Sequence, residues 1–191
     1  MPKMKKAKKL TWKKHRERWQ NCDRCELCET RKRIVLLRGR VPCSVLFVGE
    51  APGASEDVLG RPFMGPAGHL LDNIISNSEM ADVDVAFTNL VGCIPIDPNE
   101  GRKVKQPHKE HVKACEDRLL EVIQLCKPWA IVALGDFTFK TLDKMDLDGL
   151  KVVKVMHPAG ILRMDQMDKP LAIQQAEITL TDLVEELFPD A

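Results

Sequence analysis

The chain has 191 residues, enough for one domain of ordinary size and too few for two large ones. It is 44% apolar and 30% charged, as globular proteins are, and no apolar run approaches the roughly 20 residues of a membrane helix. The first 40 residues carry 15 Lys and Arg against 4 Asp and Glu, whereas the remainder carries 14 against 24. A basic arm on an acidic body favours a polyanionic partner such as nucleic acid; the alternative is a solvated, disordered tail.

The N-terminal stretch is basic, but no apolar segment follows it that could form the core of a secretory signal. We therefore expect a cytoplasmic protein. Seven cysteines without an export signal argue against a disulfide framework, which leaves metal binding, catalysis or core packing. We expect a basic arm and helix over residues 1–20, followed by a single domain over residues 21–191.

Strands and helices are predicted to alternate along the domain. A first helix begins after Thr11, which can cap it, and places Trp12, His15 or Arg16, and Trp19 on one face. Four apolar runs have the length and β-branched content of buried strands: 44–48, 83–89, 129–134 and 152–156. Helical patterns cover four further stretches: 70–75, 112–126, 137–142 and 173–187. The alternation predicts an α/β fold whose parallel sheet is covered on both faces and binds ligands beyond the carboxyl ends of its strands.

Polar side chains stand where three of these strands end. Glu50 follows the first strand, in a stretch over residues 49–68 that is rich in Gly and Pro and contains Phe63. Asn89 ends the second strand, and its amide offers a donor and an acceptor that suit the edge of a nucleobase. His157 follows the fourth strand, where a histidine can stabilise an oxyanion or donate a proton. Taken singly, each has an ordinary alternative: a solvated Glu, a turn-forming Asn and a strand-end His without function.

The cysteines form a sharper pattern. Cys22 and Cys25 make a C-x-x-C pair, Cys93 lies just after the second strand, and Cys115 lies on the next helix. Four thiolates from two distant pairs can bind a tetrahedral zinc ion or hold an iron–sulfur cube. A third thiol at C-x-x-C spacing, Cys28, competes for the same role. Two other cysteines are expected to fill the core: Cys43 and Cys126.

Three motifs together carry a resemblance to a known family. Residues 49–72 contain GEAPG, then ED, GRPFMGPAG and LLD, and they resemble the first motif of the family-four uracil-DNA glycosylases. TNLVGC over residues 88–93 resembles the second motif of that family, and HPA over residues 157–159 resembles the third. The match runs in the expected order from about Cys22 to Arg163.

This resemblance implies a three-layer α/β/α sandwich around a four-stranded parallel sheet, and a monofunctional enzyme of base excision repair. The enzyme would flip uracil out of the DNA stack and hydrolyse its N-glycosidic bond. Glu50 would position or activate the attacking water, and His157 would stabilise charge on the departing base. Three residues would bind the base: Ala51, Phe63 and Asn89. Four would hold a [4Fe–4S] cluster: Cys22, Cys25, Cys93 and Cys115.

The resemblance also implies contacts to DNA. The segment after His157 would enter the minor groove, with Leu162 as an apolar wedge and Arg163 on a phosphate. Segment 94–105 is longer and more basic than in the family, and we assign three of its residues to the DNA interface: Arg102, Lys103 and Lys105. The segment resembles the inserted loop of X-type relatives that capture a DNA base through a His. Val104 is the nearest equivalent here, so we expect no covalent capture.

Uracil-containing DNA, single- or double-stranded, is the expected partner, without a membrane. We expect a monomer in the cytoplasm of a prokaryotic or phage-type system. Because no Lys lies in the strand-end motifs, we expect no Schiff-base chemistry. The altered segment 94–105, and a stretch from Gly135 to His157 that is shorter than in the family, motivate an alternative: a protein of the same fold that binds DNA or a modified base without cleaving it.

Overall fold

The computed structural model describes residues 10–97 and 103–189. The Lys-rich stretch within residues 1–9 and Arg102 lie outside the described residues, so the DNA contacts expected of them stay predictions. In the described part, no helix is both long enough and apolar enough to cross a bilayer.

Seven strands form two sheets within the described residues. They are β1 (Arg38–Gly39), β2 (Val45–Gly49), β3 (Val85–Asn89), β4 (Ile96–Asp97), β5 (Lys103–Val104), β6 (Ala130–Leu134) and β7 (Lys151–Val155). The main sheet has the order β1-β3-β2-β6-β7, and β4 pairs with β5 in a small antiparallel ribbon. The four predicted strands are β2, β3, β6 and β7, and all four are parallel.

The predicted strand number was wrong by one, because β1 adds an antiparallel strand at the edge of the main sheet. This strand is two residues long and ends at Gly39, whose φ of 103° lies outside the range of a regular strand. So short a segment shows no hydrophobic alternation.

Eight α-helices complete the described chain. They are α1 (Trp12–Trp19), α2 (Leu27–Thr30), α3 (Ala54–Leu59), α4 (Pro66–Ser76), α5 (Lys109–Cys126), α6 (Asp136–Leu142), α7 (Pro158–Arg163) and α8 (Lys169–Leu187). The five helices with apolar periodicity were predicted, whereas α2, α3 and α7 are too short to show it. The expected cap of α1 is confirmed, since the Thr11 hydroxyl accepts a hydrogen bond from the Lys14 amide at 3.4 Å.

The sheet separates two cores, which confirms the three-layer architecture. In β2, Val45 and Phe47 face the core beneath α4, α7 and α8, whereas Leu46 and Val48 face the core beneath α5 and α6. Two cysteines lie buried in the second core, as predicted: Cys43 and Cys126.

Helix α1 packs against α5. His15 and Trp19 are both buried, whereas Arg16 is exposed, so His15 is the residue that completes the packed face. Glu121 on α5 accepts hydrogen bonds from His15 Nδ1 at 2.9 Å and from Trp19 Nε1 at 2.7 Å. The basic N-terminal helix is therefore attached to the domain.

The connection from β2 to α4 is held by one carboxylate. Glu56 Oε1 accepts from the amides of Met64 and Gly65 at 2.8 and 2.9 Å, and Oε2 accepts from the Gly53 amide at 3.1 Å. The bonds fold the loop back on itself, with Phe63 at a φ of +54°. Gly68 on α4 lies so close that a Cβ there would be 2.0 Å from the Phe63 carbonyl oxygen.

The close contact at Gly68 predicts the effect of adding one methyl group. Gly68→Ala should lower the free energy of unfolding by about 1–3 kcal/mol, because the new Cβ collides with main chain that cannot easily move. The matched control is Gly160→Ala on α7, where a Cβ would meet nothing within 4 Å and should stabilise the helix slightly. Urea denaturation of both variants measures the difference. Equal stabilities would contradict the packing described here.

Candidate functional site

A pocket of about 660 Å³ lies at the carboxyl ends of the parallel strands. This is the edge at which open α/β sheets bind ligands. Seven of the predicted site residues line it: Glu50, Ala51, Phe63, Asn89, Lys105, His157 and Arg163. The fold therefore brings together side chains that are more than 100 positions apart in sequence.

Gly49, the last residue of β2, sets the floor of the pocket. A Cβ at this position would lie 2.5 Å from Asn89 Oδ1 and 2.6 Å from the tip of the Phe63 ring. The amide and the ring therefore occupy the space that a side chain at position 49 would fill. Because β2 and β3 pair in register at these residues, Asn89 is held directly beside Gly49.

His157 is half-buried and begins α7 as its N-cap residue. Its Nδ1 accepts a hydrogen bond from the Ala159 amide at 3.1 Å, so the neutral ring carries its proton on Nε2. Burial, helped by the nearby Arg163 charge, lowers the pKa of His157 to about 4. The side chain is therefore a neutral hydrogen-bond donor at physiological pH.

Glu50 lies opposite His157 across Gly135. A Cβ at Gly135 would lie 3.2 Å from His157 Cβ and 3.7 Å from Glu50 Oε1, so the absence of a side chain there lets the two groups approach. Gln106 Nε2 donates a hydrogen bond to Glu50 Oε2 at 3.3 Å. Gln106 was not predicted as a site residue, because nothing in the local sequence pattern indicates that segment 104–107 folds over the pocket.

Two elements border the mouth of the pocket. On one side, α7 carries Leu162, which is 40% exposed, and Arg163. On the other side, the β4–β5 ribbon carries exposed Lys103 and Val104, and Lys105 follows it. Leu162 and Lys103 are not part of the pocket wall itself. The arrangement places cationic and apolar side chains on both sides of the opening.

The C-x-x-C segment is attached to α5. His111 Nδ1 accepts from the His108 amide, so its Nε2 donates to Glu26 at 2.6 Å. Arg24 pairs with Asp117 at 2.7 Å. These bonds bring the loop that carries Cys22 and Cys25 to the helix that carries Cys115.

The four cysteine thiols predicted as ligands interact with one another. The pKa of Cys25 is raised chiefly by burial, and also by the neighbouring thiols of Cys115 and Cys22. Burial raises the pKa of Cys93 to about 12, although Arg31 donates a hydrogen bond to its sulfur at 3.2 Å. A thiol that resists ionisation in this way is unsuited to act as a nucleophile at neutral pH.

Four cysteine thiols make a donor set of the kind that holds an iron–sulfur cluster. Across residues 10–97 and 103–189, no three His, Cys, Asp or Glu side chains converge closely enough to hold one metal ion. A [4Fe–4S] cube bonds each thiolate through a different iron, and its four thiols can come from separate segments of the chain.

Known proteins are similar to this chain in fold and in sequence. The crystal structure of wild-type Pedobacter heparinus SMUG2 superposes with a TM-score of 0.60 at 16% identity, covering 74% of this chain and 76% of that one. The family model described as Uracil DNA glycosylase superfamily matches residues 36–181.

The sequences of curated relatives show to which family within this superfamily the chain belongs. The type-4 uracil-DNA glycosylase of Pyrobaculum aerophilum is 43% identical over 136 residues, which are 71% of this chain and 65% of that protein. Those of Archaeoglobus fulgidus and Thermotoga maritima are 31% and 35% identical, and each match covers 77% of this chain and 81% of the relative. The chain belongs to the type-4 family of the uracil-DNA glycosylase superfamily.

The environment of His157 predicts its titration. Because its pKa lies near 4 rather than near 6.5, the ring should remain neutral, with the proton on Nε2, from pH 8 down to about pH 5. Nitrogen-15 NMR of histidine-labelled protein, assigned by comparison with His157→Gln, measures both the tautomer and the midpoint. A midpoint near 6.5 would contradict the burial described here.

Proposed function

We propose that this chain is a monofunctional uracil-DNA glycosylase that hydrolyses the bond between uracil and deoxyribose in DNA. The observation that carries the proposal is the pocket of about 660 Å³, which has room for a nucleobase and is lined by Asn89, Phe63, Glu50 and neutral His157. Family membership supports the same chemistry. The products would be free uracil and an abasic site, as in base excision repair, and the protein would work on DNA in the cytoplasm.

Recognition requires the base to leave the DNA stack, at a cost of a few kcal/mol. The extruded uracil would stack on the Phe63 ring and lie against Ala51, while the Asn89 amide would pair with the polar edge of the base. Exposed Leu162 would fill the gap in the duplex. Arg163, Lys103 and Lys105 would contact phosphates on the two sides of the pocket mouth, and Arg102 would join them.

Bond cleavage moves the bonding electron pair onto uracil. The Nε2–H of His157 would donate to the carbonyl oxygen that becomes negative, and because the ring is neutral it would remain a hydrogen-bond donor rather than a strong acid. Glu50, oriented by Gln106, would hold the water that attacks C1′ and would accept its proton. Uracil would leave as an anion and take a proton from solvent.

We also propose that Cys22, Cys25, Cys93 and Cys115 hold a [4Fe–4S] cluster. The cluster would tie the C-x-x-C segment to the loop after β3 and to α5. It would supply folding free energy, since ligand binding in such sites is coupled to folding. None of the four thiols lines the base pocket, so the cluster would have a structural role.

The catalytic proposal predicts different effects for three substitutions. His157→Ala should lower the rate about 10²–10³-fold while leaving uracil-DNA binding nearly intact, because its contact strengthens as the bond breaks. Glu50→Gln should slow cleavage without loss of fold. Asn89→Ala should impair both binding and cleavage. Release of free uracil from a single-uracil oligonucleotide, followed by mass spectrometry in single-turnover reactions, measures each rate.

Two outcomes would contradict the proposal. Wild-type protein that binds DNA tightly but releases no uracil would support the non-cleaving alternative, with these residues serving as a recognition pocket. Borohydride trapping that links the protein to DNA would show a Schiff base and overturn the monofunctional assignment. Lys105 makes this control informative, because the structure places it in the pocket wall.

The cluster proposal predicts colour and stability. Cys93→Ala should remove the visible absorbance, lower the iron content and lower the melting temperature. The matched control is Cys28→Ala, which removes a thiol of similar exposure from the same segment as Cys25 and should leave the iron content unchanged. Loss of iron from Cys28→Ala but not from Cys22→Ala would overturn the ligand set. Colourless protein containing zinc would support a zinc site instead.

A further inference from the structure

Arg118 is a cation buried in the middle of the domain. It lies on α5 and its side chain is 0% exposed. Its guanidinium donates from Nη1 to the Thr88 hydroxyl at 3.2 Å, and from Nη2 to the carbonyl oxygens of Asn89 and of Leu90, the latter at 3.0 Å. Two of the acceptors lie at the end of β3, the strand that delivers Asn89 to the pocket, and the Leu90 carbonyl follows directly after it.

Stability alone does not account for this residue. Among the described residues its hydrogen-bond partners are one hydroxyl and two carbonyls, with no carboxylate, and its buried Nε has no partner. Burying a charge costs several kcal/mol, and an apolar side chain of similar volume would fill the space without that cost. The guanidinium supplies a rigid, planar set of hydrogen-bond donors directed at these three acceptor oxygens.

The end of β3 needs such donors. The edge strand β1 pairs with β3 only at Ala86 and Phe87, so it ends before the strand reaches the pocket. From the β2 side, the Leu90 amide bonds to the Gly49 carbonyl at 2.8 Å. The Val91 amide likewise bonds to the Glu50 carbonyl at 3.2 Å. Arg118 adds bonds to the carbonyls of Asn89 and Leu90 and so helps to fix the main chain at the pocket floor.

We infer that Arg118 is a positioning residue, which sets the place of the Asn89 amide and so the preference of the pocket for uracil. The inference rests on the proposed function, in which Asn89 contacts the base. Arg118 itself lies behind the strand and touches no substrate. Its effect on recognition must therefore pass through Asn89, and this makes the inference testable by combining substitutions.

The probe is a pair of oligonucleotides that differ at one position, with 2′-fluoro-deoxyuridine or 2′-fluoro-deoxycytidine, whose glycosidic bonds resist cleavage. Fluorescence anisotropy measures the affinity of the intact protein for each. Arg118→Lys keeps the charge but lacks the planar fork. It should reduce the preference for the uracil probe about ten-fold, which is within the range for directly coupled residues.

Background variants distinguish positioning from a general loss of structure. In an Asn89→Ala protein, Arg118→Lys should produce no further loss of preference. In a His157→Ala protein, it should produce the same loss as in the wild type, because His157 is held by other elements. Thr88→Val removes one of the three acceptors, together with the hydrogen bond that the Thr88 hydroxyl donates to the Leu36 carbonyl at 2.7 Å. It should show a smaller loss of preference with the same dependence on Asn89, which keeps the test available if Arg118→Lys folds poorly.

The matched stability control is Val122→Ala on the same helix, a buried residue of the second core that is not bonded to β3. It should lower the melting temperature and leave the preference for uracil unchanged. An Arg118→Lys effect that adds in full to Asn89→Ala, or an equal loss of preference in Val122→Ala, would overturn the inference. If wild-type protein shows no preference for the uracil probe, the proposed base recognition fails and this inference with it. If wild type and Arg118→Lys show equal preference, the inference alone fails.

Discussion

The site depends on the absence of a side chain at Gly49. The β2–β3 register places Asn89 beside this glycine, and the loop after α3 brings the Phe63 ring to the same point. The two side chains therefore occupy the space that a Cβ at position 49 would need. Every other feature of the loop maintains that contact. The Glu56 carboxylate gathers three loop amides, and α4 approaches the Phe63 carbonyl at Gly68, where no larger residue fits.

Helix α5 links the pocket to the rest of the molecule. Cys115, Arg118 and Glu121 follow one another at three-residue steps and therefore lie on one face of the helix. Cys115 lies near the other thiols proposed as cluster ligands, Arg118 bonds to the end of β3, and Glu121 accepts hydrogen bonds from α1. A single helix thus aligns the proposed cluster site, the floor of the base pocket and the basic N-terminal helix.

The sequence predicted the helices and strands whose apolar residues recur in a regular pattern, and it predicted the polar residues that follow the strands. The four parallel strands β2, β3, β6 and β7 were found, because each is a short stretch rich in apolar and β-branched residues. Strands β2, β3 and β6 are buried almost throughout, whereas β7 at the edge of the sheet is only partly buried. The edge strand β1 and the β4–β5 ribbon were not, since two-residue strands carry no period. Glu50, Asn89 and His157 follow strands directly, and the parallel arrangement alone brings them together. Glu56, Gln106 and Arg118 act through tertiary contacts, and no local pattern marks them.

The central claim is that this pocket holds an extruded uracil between Phe63, Asn89 and His157. A crystal structure of the protein with a single-uracil oligonucleotide, made resistant to cleavage by 2′-fluorine, tests it most directly. The account predicts the base inside the pocket, stacked on Phe63, with a carbonyl oxygen within hydrogen-bond distance of His157 Nε2 and its polar edge on the Asn89 amide. A uracil that remains stacked in the DNA, or that binds the protein elsewhere while the pocket stays empty, would contradict it.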